Sequence, residues 1–401
     1  MLRKRSPLLV IFLTIFLDLL GFGIVIPLLP FFATDLGASG FEVGVLMTAY
    51  SGMQFLFSPL WGRLSDRIGR RPVLLISIAG NVVAMLLFAS STTVVVFFLA
   101  RAFAGMANAN IGTAQAYIAD VTSAEDRTKG MGLIGAAFGL GFVLGPAIGG
   151  LVAHAFDSYA APAYVAAALS AINWILAWRN LPESLPPAAR EQAKLRRGSR
   201  LQAFKGSLSH PFLPFLFLLF FLTTVSFAQV ETTFALFTKD RFGYDAMENG
   251  YLFAFIGVVL AAVQGGLVQP LRRWLGEAAM LLVGTVGLTV GLLILPMVFT
   301  NFGLLAGCAL LAFGNGLSSP ALSSLVSKQA PSHAQGQILG VNQSMSSLGR
   351  VVGPLIGGFA FEYGSPTAPF YAAAGILCLA ILISARIFRQ RVRAETVAAE
   401  A

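Results

Sequence analysis

Leu140-Gly-Phe-Val-Leu-Gly-Pro-Ala-Ile-Gly-Gly150 returns as Leu348-Gly-Arg-Val-Val-Gly-Pro-Leu-Ile-Gly-Gly358, at an offset of 208 with eight of eleven positions unchanged. Near the same offset, residues 62–75 (GRLSDRIGRRPVLL) face a diverged counterpart at residues 269–282 (QPLRRWLGEAAMLL). The chain is therefore read as a duplicated unit. Both copies of the first motif sit in long apolar surroundings, and duplicated apolar segments predict parallel helical repeats in a bilayer, with a substrate site near the midplane between the halves.

Composition supports a membrane. The chain has 401 residues, 56% hydrophobic and 11% charged, with mean hydropathy +0.78. A soluble domain carries about 25% charged residues. The apolar runs are about 20 residues long, which suits helices rather than barrel strands of about 10. Spans are expected at about 7–31, 41–61, 72–91, 94–118, 130–154, 159–179, 212–236, 248–268, 278–298, 301–325, 336–360 and 367–386. The fold class is thus all-α, with twelve transmembrane helices in two pseudo-symmetric six-helix bundles. The expected divisions are 1–180 for the first bundle, 181–211 for a polar, basic linker and 212–401 for the second bundle with a short tail.

Net charge +9 suggests nucleic acid until the charges are placed. With both termini in the cytoplasm, 23 of the 27 Lys and Arg fall in the N-terminal tail, the inner loops, the linker and the C-terminal tail. That is the positive-inside distribution of a membrane protein, so the basic balance implies no nucleic-acid partner. The N-terminal segment (Arg3, Lys4, Arg5, then an apolar run) has the outline of a secretory signal. Its run of about 25 residues is longer than a signal core and contains Asp18, so no cleavage is expected. Cys308 and Cys378 lie in apolar runs, and His154, His210 and His333 near span ends, so no metal site and no disulfide framework is expected. No phosphate-binding GxxxxGK[ST] loop occurs, and no cofactor is implied.

Gly62-Arg-Leu-Ser-Asp66-Arg-Ile-Gly69-Arg70-Arg71 joins spans 2 and 3. Its glycines permit a tight turn, and Asp66 can pair with arginines or cap a helix. The stretch resembles the signature loop of the major facilitator superfamily. By that resemblance Gly62, Asp66, Gly69 and Arg70, with Asp120 and Arg127 after span 4, form a conformational latch. Gly141, Gly145, Pro146, Gly149 and Gly150 in span 5 resemble the signature of the drug/proton antiporter branch. The bottom-up reading of those residues is close helix packing and a proline bend.

Asp18 follows eleven apolar residues and lies about 17 Å into span 1. A carboxylate at that depth is either a proton or substrate site or half of a buried structural pair. Arg101 in span 4 needs a partner, for which Asp18 is the candidate. Leu99-Ala-Arg101-Ala-Phe-Ala-Gly105 resembles the family's span-4 arginine motif, which implies a role in proton coupling. Arg350 replaces Phe142 in the second repeat, and Glu231 is a possible partner. Asn108, Gln115, Glu231, Asn315, Gln343 and Arg350 are the candidate cavity residues, each of which can equally serve helix–helix packing.

The resemblance covers about residues 11–385 and is close to bacterial tetracycline-efflux transporters, although span 9 (about 278–298) lacks the acid those carry. It implies no enzyme. It implies instead a proton-coupled exporter of small lipophilic molecules, functional as a monomer in a bacterial inner membrane, its partners being protons, substrate and bilayer. The alternatives are a symporter or uniporter for a sugar, organic acid or lipid precursor, and a non-transporting receptor or scaffold.

Overall fold

The computed structural model describes residues 7–122, 127–187, 190–191, 212–329 and 335–400. Helix dominates because the apolar runs have no water to satisfy their backbone and must bond internally. The helices are α1 (Pro7–Val25), α2 (Leu29–Asp35), α3 (Gly40–Ile68), α4 (Arg70–Ala89), α5 (Val94–Ala107), α6 (Ile111–Val121), α7 (Arg127–Phe156) and α8 (Ala161–Asn180). They continue as α9 (Leu213–Phe242), α10 (Ala246–Ala262), α11 (Val268–Ile294), α12 (Asn301–Gln329), α13 (Gln335–Tyr363) and α14 (Ala368–Glu400). Every expected span falls on a helix. Among the described residues, nine helical stretches are long and apolar enough to cross a membrane, and the longest, Ala246–Met297, has 52 residues. At 1.5 Å per residue that is roughly twice the length one crossing requires.

Three expectations about continuity are corrected. Span 1 is not one helix: α1 passes through a 3₁₀ turn at Ile26–Leu28, set by Pro27, into α2. Span 4 breaks between Ala107 and Ile111. The loop expected between spans 8 and 9 is helical, with a π-helical turn at Val263–Leu267 and a kink at Gly276 (φ 73°, ψ 168°). The corresponding join between α3 and α4 is likewise a single residue, Gly69 (φ 109°, ψ 161°).

The chain divides into two compact units, one comprising Met1–Gly198 with Gly243–Ala254, the other Ser199–Phe242 with Phe255–Ala401. Within the first, Ile11, Ile15, Leu19, Leu74, Ile78, Tyr117 and Ile118 form one buried core that packs α1, α4 and α6 together. Repeat symmetry extends to the helix starts. Ser39 Oγ accepts the Glu42 N–H (3.3 Å) while Glu42 accepts the Ser39 N–H (2.8 Å). At an offset of 206, Asp245 accepts the Glu248 N–H (3.2 Å) and Glu248 accepts the Asp245 N–H (2.8 Å). Such reciprocal caps satisfy donors that a helix start leaves open. Burial pushes the Asp245 carboxyl up, but hydrogen bonds to Glu248 and to the Met247 and Glu248 N–H groups, with nearby His154, hold it below the usual carboxylate range. His210 and His333 lie outside the described residues.

Candidate functional site

Asp18 sits on α1 where α8 packs against it. Asn173, 1% exposed, donates its Nδ2 hydrogens to Asp18 Oδ1 (3.0 Å) and to the Thr14 carbonyl (3.0 Å). Asn110 is the other polar side chain near Asp18, and no charged group among the described residues pairs with it. The expected Asp18–Arg101 pair is therefore corrected. Arg101, 2% exposed, lies over the Tyr50 ring at 4.4 Å, with Nη2 4.0 Å from Met47 Sδ. A desolvated guanidinium over an aromatic face is electrostatically favourable. Gly105, one turn later, lets α5 press on the Tyr50 backbone, where a Cβ would collide with the carbonyl. Both residues of the span-4 motif are thus read against Tyr50.

The break in span 4 frees backbone carbonyls inside the unit, and each must find a donor. Trp61 Nε1 donates to Met106 O (2.7 Å), Ser77 Oγ to Ala107 O (2.6 Å) and Gln54 Nε2 to Asn108 O (3.1 Å). The Asn108 amide donates to Asn81 Oδ1 (2.9 Å), and Asn81 donates to Ser170 Oγ (2.9 Å). A polar path thus runs from α3 through the break to α8, beside Asp18. Of these residues the sequence had singled out only Asn108.

The glycine motif of span 5 is a seam against span 1. A Cβ on Gly141 would lie 3.0 Å from Leu19 and one on Gly145 2.7 Å from Gly23, while one on Gly149 would strike the Ile24 carbonyl. On the neighbouring face a Cβ on Gly150 would lie 2.8 Å from Ala246 O, and one on Gly250 would strike the Pro146 carbonyl. The second unit repeats the seam between α13 and α9: Gly349 against Thr224 (2.8 Å), Gly353 against Val225 O (2.7 Å) and Gly357 against Gln229 O (2.8 Å). Spacing of four residues places all three glycines on one helix face, where backbones can meet.

At the end of the first unit that carries Gly69, the latch residues come together. Arg70 bonds Asp66 one turn back, reaches Asp120 Oδ2 at 3.2 Å and donates to Ser65 Oγ (2.8 Å). Gly62 contributes its carbonyl to Ser65 (2.9 Å). Two arginines at a helix start oppose the helix dipole, and Glu183 offsets them. It accepts the Arg70 N–H (2.9 Å) and the Arg71 N–H (3.3 Å), and pairs with Arg190 at 3.4 Å. Ser184 Oγ donates to Asp120 (2.9 Å), and Tyr117 OH to Pro182 O (3.0 Å). The segment after span 6 therefore completes the joint, which the motif alone did not reveal; Pro182-Glu183-Ser184 at the head of the linker was its only sequence signal. The Arg127 side chain lies outside the described residues.

The second unit closes its equivalent kink differently. Glu277, 7% exposed, follows Gly276 and accepts from Lys328 Nζ (2.6 Å) and Ser324 Oγ (2.7 Å). Elsewhere in this unit Arg350 and Glu231 are both half-buried, and among the described residues no salt bridge joins the two, contrary to expectation. Asn315 is half-buried, while Gln115 and Gln343 are exposed. The side-chain amide of Gln229, fully buried on α9, has no hydrogen-bond partner among the described residues.

Comparison with known proteins agrees with this architecture. The family model of the Major Facilitator Superfamily matches residues 11–354 and 273–401. The chain is 33% identical over 358 residues to the tetracycline resistance protein, class C, of Escherichia coli, covering 88% of this chain and 89% of that one. It is 30% identical over 386 residues to multidrug resistance protein 1 of Bacillus subtilis (strain 168), covering 95% and 96%. Among solved structures it resembles the human organic anion transporter MFSD10 (TETRAN), with a TM-score of 0.71 at 27% identity, covering 96% of this chain and 100% of that one. The helical repeat, the glycine seams and these matches together place the chain in the Major Facilitator Superfamily, as an integral membrane transporter and not an enzyme.

Proposed function

We infer that this transporter is a proton-coupled antiporter that exports small lipophilic molecules by alternating access. The observation that carries the reading is Asp18: a carboxylate within span 1, held by the neutral amide of Asn173 with Asn110 near it, and not consumed in an ion pair. An acid locked to Arg101 would be structural, whereas one facing only amides can exchange a proton. Moving one charge across 100 mV supplies about 2.3 kcal/mol, enough to sustain a useful gradient without ATP. The names of the tetracycline and multidrug resistance relatives support export of drugs. In this reading Arg101 modulates Asp18 through the span-4 break, and the Asp66–Arg70–Asp120 joint latches one conformation. The distribution of Lys and Arg supports cytoplasmic termini in a bacterial inner membrane, with the monomer as the working unit. A second reading, export of organic anions, draws on MFSD10 and on Arg350 within span 11.

The test is efflux of tetracycline, lipophilic cationic dyes and an anionic dye from cells expressing the protein, with and without an uncoupler. Uncoupler-sensitive efflux supports the proposal and its substrate sorts the two readings. Efflux of no panel member removes drug export.

A further inference from the structure

We propose that Asn173 is the positioning residue for Asp18, and that its amide, oriented by the Thr14 carbonyl, selects the ionised carboxylate. This rests on the reading of Asp18 as the proton carrier and deepens it.

The one nitrogen and the oxygens of this corner fix one another. Thr14 O can only accept, so the Asn173 side chain must turn its NH₂ toward it (3.0 Å), and the second hydrogen of that NH₂ points at Asp18 Oδ1 (3.0 Å). Asn173 Oδ1 is left buried with no hydrogen-bond partner among the described residues. Turning the amide over would give Asp18 an acceptor, but would set carbonyl oxygen against carbonyl oxygen at Thr14. The Thr14 hydroxyl does not relieve that clash, because it is spent on Val10 O (3.0 Å). Asn173 is 1% exposed, so bulk water does not compete for the amide. A donor fixed in this way stabilises carboxylate over carboxylic acid, since a hydrogen bond to the charged form favours that form.

Among the described residues no charged group pairs with Asp18. The helices packed most extensively on α1 are α7 and α8, with α6 beside them, α4 sharing the buried core and Tyr50 of α3 touching Phe22. Their titratable side chains among the described residues are engaged elsewhere: Tyr117 with Pro182, Asp120 with Arg70, Arg71 with the Trp178 carbonyl, Arg101 over Tyr50 and His154 toward Asp245. Tyr164 and Arg179 stand more than a helical turn along α8 from Asn173. Asn110 is the remaining polar side chain that acts on Asp18, and it too is neutral. Protonation of Asp18 would thus weaken the Asn173 hydrogen bond from charge-assisted to neutral, which ties the proton on span 1 to the α1–α8 contact.

The experiment is an infrared pH titration of the purified, full-length protein in lipid nanodiscs, following the carboxylic-acid carbonyl band that Asp18→Asn removes. A hydrogen bond to a charged group is worth about one to two pH units of midpoint. Asn173→Leu, similar in volume but without a donor, is expected to move the Asp18 midpoint to higher pH by that amount, while Asn173→Gln, which keeps an amide, restores part of the shift. Should Asn173→Leu not fold, Asn173→Ser is read in the same direction. An unchanged midpoint in a folded variant overturns the role of Asn173 while leaving Asp18 a proton carrier. Absence of any Asp18 band across the titration overturns both.

Discussion

Glu277 occupies in the second unit the place that Arg70 occupies in the first. Each follows a kink glycine of positive φ, Gly276 and Gly69. Each pairs with a residue 50 or 51 positions later, Arg70 with Asp120 and Glu277 with Lys328, so the signs of the joint are inverted. The inversion has a physical consequence. An acid suits the positive end of a helix and an arginine does not, so Glu277 needs only Lys328 and Ser324, whereas Arg70 and Arg71 require Glu183 from the segment after span 6. One joint is self-contained and the other depends on the linker.

Lys328→Met is therefore expected to lower the melting temperature of the detergent-solubilised protein, with loss of about 1.5–3 kcal/mol from stranding a charge-assisted bond to a buried carboxylate. The double inversion Glu277→Lys with Lys328→Glu should recover less than the whole, because it puts a lysine at a helix start. Full recovery in a thermal shift assay would show that the helix end plays no part.

Glu183→Gln keeps the shape of the cap but loses its charge. Transport should fall several-fold at equal abundance, with a shift in cysteine accessibility near Gly69 as the joint loosens. Arg190→Gln should do much less, since that ion pair is partly exposed and such pairs contribute about 0.2–1 kcal/mol. Equal effects of the two substitutions would contradict the ranking.

The seams make a symmetric prediction. Gly145→Ala and Gly353→Ala each force a Cβ into the facing backbone, at 2.7 Å in both units. Each should cost about 1–3 kcal/mol by overpacking and reduce folded yield, read by size-exclusion fluorescence. Gly139→Ala and Gly340→Ala, with nothing within 4 Å, serve as tolerated neighbours.

At the span-4 break, Ser77→Ala leaves the Ala107 carbonyl without its donor. The expected loss is about 1–3 kcal/mol, the usual penalty for a buried unsatisfied group, and Ser77→Thr, which keeps the hydroxyl, should behave nearly as wild type in the same melting assay.

Much of this was legible in the chain. Repeated Leu-Gly motifs at an offset of 208 announced both the duplication and the glycine seams, and Gly62–Arg71 announced the charged joint around Arg70. Partners were harder to read. Sequence inspection paired Arg101 with Asp18 and Arg350 with Glu231 because opposite charges attract, but the fold holds Arg101 over Tyr50 and Asp18 against Asn173. Those contacts arise between helices distant in the chain and involve neutral groups that carry no charge signal. The break at 108–110 was hidden because Asn108 and Asn110 read as ordinary polar span residues; two asparagines flanking one alanine, followed by Gly112, were the clue. Glu183 was passed over because a linker acid has no periodicity to mark it.

The central claim is that a proton on Asp18 drives transport. Its most direct test is Asp18→Asn in proteoliposomes loaded with a substrate identified by the efflux panel, comparing accumulation driven by an imposed pH gradient with substrate exchange at equal pH on both sides. The account predicts that the variant loses gradient-driven accumulation but retains exchange, because the path remains while the proton carrier is gone. Accumulation that persists at the wild-type rate in Asp18→Asn would contradict it.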